Sequence, residues 1–293
     1  MKEILVLSGK GGTGKTTLVG AMAVIMPDKV LADCDVDAAD LHLLLSPEVS
    51  ERNEFWSGVK AGVDTGRCSG CGSCFEICRF DAVIMAETAV IDDFHCEGCG
   101  VCYEFCPEGA ISLRDNRSGM WFKSVTKYGP MIHAALGIGE ENSGKLVSLV
   151  KKEIRALAEE QGVRWILVDG PPGLGCPVIA ALSGADLVLI VTEPTMSGLH
   201  DMIRVADLAE HFKIPVCVCI NKWDLNRNMA DNIENECRVR KIPVTGHVPF
   251  DADVVNSLVA GRPLLEYSDG PAAREIQNIW KNLKNISFLE ENE

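Results

Sequence analysis

Two runs of four cysteines constrain this chain more than any other feature. CSGCGSCFEIC spans Cys68–Cys78 and CEGCGVCYEFC spans Cys96–Cys106, so eight of the 13 cysteines fall within 39 residues. Each run reads C-x2-C-x2-C-x3-C, a spacing that holds [4Fe–4S] clusters through thiolates. Paired CxxC units can also form a four-cysteine zinc site. A third and a fourth cysteine at the same intervals, repeated in a second run, speak for clusters instead. Gly70, Gly72, Gly98 and Gly100 let the backbone wrap such a centre and donate N–H···S bonds.

The remaining residues must supply the core. With 293 residues, 47% of them hydrophobic, the chain suits one large α/β domain plus a small insert. A net charge of −14 argues against a nucleic-acid surface, which needs a basic face. It suits a soluble protein and a basic partner. Disulfides would need an oxidising compartment. The chain reads as a strand by Ile4–Leu7, so no secretory segment is expected ahead of it. No apolar run approaches the length of a membrane span. The expectation is a cytoplasmic protein without stable membrane insertion, whose cysteines ligate metal.

Residues 9–16, Gly9-Lys10-Gly11-Gly12-Thr13-Gly14-Lys15-Thr16, satisfy G-x-x-x-x-G-K-[ST]. An apolar strand precedes them and a helical run, Thr17 to Met26, follows. Glycines let successive N–H groups face phosphate oxygens, and the helix N-terminus adds positive charge. Lys15 is expected to reach the β- and γ-phosphates, and the Thr16 hydroxyl to ligate Mg²⁺. Three further segments carry acids or amides at strand ends. Val30-Leu31-Ala32 runs into DCDVDAAD, Asp33–Asp40. Trp165–Val168 ends at Asp169 and continues as GPPG to Gly173. Val216–Ile220 ends at Asn221-Lys222-Trp223-Asp224.

The second, early lysine in KGGTGKTT resembles the deviant P-loop ATPases, a group that includes MinD, ParA and Mrp proteins and the nitrogenase iron protein. That resemblance implies roles. Lys10 would reach across a dimer to the partner's nucleotide, within an ATP-sandwiched homodimer or a heterodimer with a related ATPase. Asp35 would position the attacking water, with Asp37 as a second candidate. Asp169 would hold Mg²⁺ through water, and Gly173 would lie near the γ-phosphate. Asn221 would contact the base, under a loop at Val248-Pro249-Phe250-Asp251. ATP is the favoured nucleotide, although Asp224 in the NKxD string leaves GTP open.

The cysteine runs start 28 residues apart, and similar phrases follow them, RFDAVI and PEGAIS. This repeat resembles bacterial two-cluster ferredoxins, in which the fourth cysteine of each run serves the other cluster. One cluster would then use Cys68, Cys71, Cys74 and Cys106, the other Cys96, Cys99, Cys102 and Cys78. Arg79 stands where Pro107 stands in the second run, which predicts unequal clusters. The insert is placed at residues 58–115, where four basic and ten acidic residues give −6. A basic redox partner or metal-cluster protein would dock there.

The expected architecture is a mostly parallel P-loop sheet flanked by helices, residues 1–57 and 116–293, holding a ferredoxin-like α+β insert. Leu41–Arg52 reads as a helix and loop, Trp121–Lys127 as a strand, and Asn142 to Glu160 as an amphipathic helix. Cys217 and Cys219 share one face of a buried strand, and Cys34 and Cys176 lie beside the switch segments; all four read as packing residues. The terminal helix, Pro271–Asn285, has an apolar face at Ile276, Ile279, Trp280 and Leu283. Its acidic LEENE end favours docking on its own domain over a membrane. Two functions stand. In one, a nucleotide-switched homodimer couples ATP hydrolysis to electron transfer or metal-cluster assembly. In the alternative, a positioning or scaffold ATPase of the MinD or ParA kind carries structural clusters.

Overall fold

Fully apolar strand runs, buried on both faces, dictate a parallel sheet covered by helices. The structure, a computed structural model, describes residues 1–286. In chain order it shows β1 (Lys2–Ser8), α1 (Lys15–Ile25), β2 (Lys29–Asp33), α2 (Leu41–Leu45) and β3 (Glu48–Val63). There follow α3 (Ser73–Ile77), β4 (Val83–Met85), β5 (Ala89–Ile91), α4 (Val101–Glu104), β6 (Ile111–Thr126) and β7 (Gly129–Leu136). Next come α5 (Ser143–Gln161), β8 (Trp165–Pro172), α6 (Cys176–Leu182), β9 (Leu187–Thr192), α7 (Met196–His211) and β10 (Val216–Asn221). The last elements are α8 (Arg227–Arg240), β11 (Val244–Val248), α9 (Ala252–Val259), α10 (Leu264–Tyr267) and α11 (Pro271–Lys284).

The chain forms two units: Met1–Asn53 with Trp121–Ala135 and the residues from Ser143 onward, and Glu54–Met120 with Leu136–Asn142. The large sheet has the order β11-β10-β9-β1-β8-β2-β7-β6-β3, parallel from β11 through β7. Ser8, Asp33 and Asn221 end β1, β2 and β10, and Asp169 stands in the C-terminal half of β8. Open parallel sheets bind ligands beyond these strand ends.

In the first unit, α11 packs Ile276, Ile279, Trp280 and Leu283 into the same core as α1 and the sheet. Trp280 meets Trp165 edge-on at 5.4 Å. Each such fully buried side chain contributes about 1.5–3 kcal/mol, so the helix is an integral wall of the domain. The LEENE end lies outside the described residues.

In the second unit the two halves repeat with an offset of 28 residues. Asp64 N–H donates to Ala110 O at 2.7 Å, and Asp92 N–H to Ala82 O at 2.8 Å. Cys68 N–H bonds Asp64 O, and Cys96 N–H bonds Asp92 O, each at 3.0 Å. Gly70 and Gly98 have φ of +71° and +65°. A Cβ there would run into the carbonyls of Glu87 and Val59 respectively. Both positions therefore require glycine on two grounds, backbone conformation and close approach.

Sequence and structure differ in three places. Residues 46–52 do not stay a loop: β3 begins at Glu48, and its half-exposed, charge-rich segment SERNEF carries little apolar signal. β6 starts at Ile111, ten residues ahead of the expected strand. The second unit is also wider than residues 58–115. It begins at Glu54, ends at Met120, and takes in Leu136–Asn142, which sequence assigned to the nucleotide domain.

Candidate nucleotide and cysteine sites

Gly14 caps α1 in the left-handed region at φ 93°, a conformation that β-carbon-bearing residues avoid. Its Cβ position is filled by the Asn221 amide, whose Nδ2 donates to Thr13 O at 2.7 Å. Gly9 packs against Asp201 with no room for a side chain. Ser8 Oγ donates to Lys10 O at 2.8 Å, and Gly173 N–H donates to Ser8 O at 3.0 Å. The glycine loop and the segment after β8 are thus tied at their bases. Thr16 and Thr17 sit half-buried in the first turn of α1, and Gly11 and Gly12 are exposed.

Lys15 is buried and lies 2.8 Å from Asp169 Oδ1 and 3.5 Å from Asp35 Oδ2. Burial alone would lower its pKa, but Asp169, Asp35 and Asp33 outweigh that and raise it. Asp33 is fully buried; its oxygens accept from Asp35 N–H at 3.0 Å and Leu41 N–H at 3.2 Å. Burial and then neighbouring Asp169 push its carboxyl well up. Burial and Asp169 also raise Asp35, against Lys15. Asp33 was not singled out from sequence, where it looks like the last residue of a strand. Two buried polar atoms here have no protein partner, Asp169 Oδ2 and Thr13 Oγ1. A buried acceptor without a donor fits a cation or its water.

Lys10 pairs within its own chain. Its Nζ lies 2.5 Å from Glu193 Oε1 and donates to Ser197 Oγ at 3.3 Å. Lys222 approaches the same carboxylate at 3.4 Å and donates to Gly12 O at 3.2 Å. Burial would raise Glu193, but the two lysines hold it lowered. Asp224 Oδ1 accepts from Phe250 N–H at 2.7 Å. Asp251 caps α9: one oxygen accepts from Asp253 N–H at 3.0 Å, the other from Ala272 N–H at 3.3 Å. Both of its oxygens are thus engaged in the fold. Pro249 is half-buried.

The cysteines of the second unit divide between two cavities. Cys68, Cys71, Cys74 and Cys106 line one, with Val63, Met85, Ala89 and Ile111 as apolar wall. Cys78, Cys96, Cys99 and Cys102 line the other, with Ala61, Val83 and Ile91. Backbone donors reach sulfur in each: Ala110 N–H to Cys106 at 3.3 Å and Ala61 N–H to Cys96 at 3.5 Å. Gly72 and Gly100, both at positive φ, open α3 and α4 beside them. Burial pushes the Cys74 and Cys102 thiols up, and the Ser73 hydroxyl lowers Cys71. Among the described residues no three of His, Cys, Asp and Glu gather closely enough for a single metal ion. Arg79 is exposed.

Of the four thiols expected to pack, three do and Cys176 does not. Cys34, Cys217 and Cys219 are buried, and burial pushes Cys219 up to about 12. Cys176 is exposed at the start of α6. No helix is long and apolar enough to cross a membrane, among the described residues.

The sequence profile of the CobQ/CobB/MinD/ParA nucleotide binding domain matches residues 4–264. An uncharacterized protein of Methanocaldococcus jannaschii is 31% identical, with 97% of both chains covered. A putative septum site-determining protein MinD of Oltmannsiellopsis viridis is 25% identical over 90% of this chain and 69% of its own length. Among solved structures, the cell division ATPase MinD of Pyrococcus furiosus superposes with a TM-score of 0.58 at 19% identity, covering 97% of this chain and 98% of its own. MinD of Pyrococcus horikoshii, complexed with Mg-ADP, gives 0.59 at 16% identity, covering 100% and 99%. At such identities the structural likeness speaks for the fold alone.

Proposed function

The chain belongs to the CobQ/CobB/MinD/ParA nucleotide-binding family, and from that premise we propose that it is an ATP-hydrolysing switch protein carrying two [4Fe–4S] clusters. The nucleotide-binding ATPase fold comes with the family. The iron–sulfur reading rests on one observation. The eight cysteines of the two runs divide four and four, each cavity taking three from one run and the last from the other. Four thiolates on one zinc stand about 3.8 Å apart. These cysteines instead ring a cavity, with N–H donors aimed at sulfur, which supports a larger centre. When bound, such clusters supply one-electron storage.

At the nucleotide site, Lys15 leaves Asp169 for the β- and γ-phosphate oxygens of ATP. That frees Asp169 for the Mg²⁺ shell, together with its unpartnered Oδ2. The loop amides, fixed by Gly12 and Gly14, receive the phosphates. Asp35, released from Lys15 in the same exchange, orients the water that attacks the γ-phosphorus, giving ADP and phosphate. Asn221, braced on Thr13, faces the base. Asp224 Oδ1 accepts from Phe250 N–H, so part of the acceptor capacity that a guanine edge would use is engaged in the fold, which favours ATP. Relative affinity for ATP and GTP tests this directly.

Lys10 acts across a homodimer only after leaving Glu193. That pair is partly exposed, so Glu193→Gln should change folding stability by no more than about 1 kcal/mol. It should also lower the ATP concentration needed for dimerisation, up to about fivefold. Light scattering against ATP concentration checks this; unchanged dimerisation removes the trans role or the hold of Glu193 on it.

How the protein uses the switch has two readings. The likeness to a putative septum site-determining protein supports a positioning or scaffold ATPase whose clusters are structural. The clusters themselves support gated electron transfer or cluster assembly, with a redox or client protein docked on the acidic insert. Anaerobic analysis should find about eight iron and eight sulfide per chain. Cluster potentials measured with ATP, with ADP and without nucleotide then separate the readings. Nucleotide-dependent potentials favour gating; identical ones favour the scaffold.

A further inference from the structure

A buried cation stands beside only one of the two cysteine sites. Lys60 side chain is 10% exposed, and its Nζ donates to Cys96 O at 2.9 Å. The next residue, Ala61, donates its N–H to Cys96 Sγ. The 28-residue repeat identifies the matching position in the other half. Val59 faces Gly98 as Glu87 faces Gly70, so Lys60 corresponds to Thr88. Thr88 carries no charge. Neither cavity has a lysine or arginine in its own lining, so the difference is the Lys60 ammonium held behind Cys96 on its carbonyl. The other cations of this region are exposed. Arg79 is at the surface, and Arg67 reaches Glu108 O at 3.3 Å in an exposed contact. The acid facing Lys60 is Glu140, at 3.8 Å; its other oxygen accepts from Asn116.

We propose that Lys60 is the positioning residue that makes the two clusters unequal, giving the Cys78/Cys96/Cys99/Cys102 cluster the higher potential. The inference rests on the cluster reading above. An added electron makes a cluster more negative. A fixed ammonium held in a poorly solvated position next to a ligand backbone favours that state, whereas the same charge in water is screened. The sequence difference at Arg79 suggested inequality too, but its exposure leaves that guanidinium in solvent. Glu140 offsets part of the Lys60 field. Electrons entering the unit would settle on the Lys60 side, which sets a direction of transfer between the two sites.

The test is a redox titration followed by electron paramagnetic resonance on the full-length protein, reconstituted anaerobically with iron and sulfide. Wild type should show two separate potentials. Lys60→Gln keeps a donor for Cys96 O and removes the charge; it should reduce the equilibrium for filling the upper cluster about tenfold, 59 mV for one electron. Lys60→Arg should retain the wild-type value. Glu140→Gln should move the same cluster upward, and Thr88→Lys should raise the lower one. Two unchanged potentials in Lys60→Gln, with iron content intact, would overturn the inference. So would Thr88→Lys without effect, should Lys60→Gln fail to fold. A wild-type protein that takes up no iron and sulfide sinks the cluster reading itself, an outcome distinct from either.

Discussion

Replacing Lys15 by methionine is expected to lower the rate of ATP hydrolysis by on the order of 10³-fold. Lys15 is the buried cation of the nucleotide site. A second consequence concerns stability. Lys15 sits among Asp169, Asp35 and Asp33, of which Asp169 and Asp33 are almost wholly buried. Removing one partner of a buried pair costs about 3–5 kcal/mol, because the remaining charge has no counter-ion. The variant can relieve that by taking up protons. Asp33 already has a raised carboxyl through burial and Asp169. A group whose folded pKa lies above its unfolded value binds more protons folded than unfolded. Its contribution is therefore present at low pH and lost as pH rises. The stability deficit of Lys15→Met should thus be largest near neutrality and shrink toward about pH 4, the range of a free aspartate. Steady-state hydrolysis and denaturation across pH measure the two effects. Hydrolysis within tenfold of wild type would exclude the proposed role of Lys15. A deficit that grows on acidification would exclude the carboxylate account.

Changing Cys106 to serine should remove the cluster of the first run and leave that of its own run. Iron content should fall from about eight to about four per chain. The same change at Cys78 should spare the first-run site and remove the second. Double variants sharpen the contrast. Cys68→Ser with Cys106→Ser strikes one cavity twice and should leave about four irons. Cys96→Ser with Cys106→Ser strikes both cavities and should leave none. If each run served its own cluster, these two outcomes would be exchanged. The surviving cluster in Cys106→Ser should also show the higher of the two wild-type potentials, because Lys60 lies beside Cys96.

Much of the first unit was legible because its signals are local. A glycine loop between an apolar strand and a helix is a contiguous string, and the strands ending at Asp169 and Asn221 are unbroken apolar runs. The face of α11 follows from helical spacing alone. β3 and the early part of β6 were missed for the opposite reason. Their residues are charged and half-exposed, so their extended form depends on pairing with strands distant in sequence, which no local pattern announces. The same holds for Asp33. Nothing in DCDVDAAD says which acid will be buried; the bonds to Asp35 and Leu41 decide it. Asp251 shows the converse, a residue placed in the nucleotide loop by resemblance whose two oxygens are engaged on α9 and α11.

The sequence by itself determined the donors: eight cysteines at two identical spacings, a phosphate loop with two lysines, and acids or amides at the ends of apolar strands. Those follow from covalent order and local periodicity. Tertiary structure alone decided which of them meet. It tied Lys10 to Glu193, gathered three carboxylates around Lys15, and buried Lys60 next to one cysteine site rather than the other. Each of these joins residues far apart in the chain. Their proximity is fixed by sheet register and core packing, and their electrostatic weight by burial; neither quantity is written in the neighbourhood of any single residue.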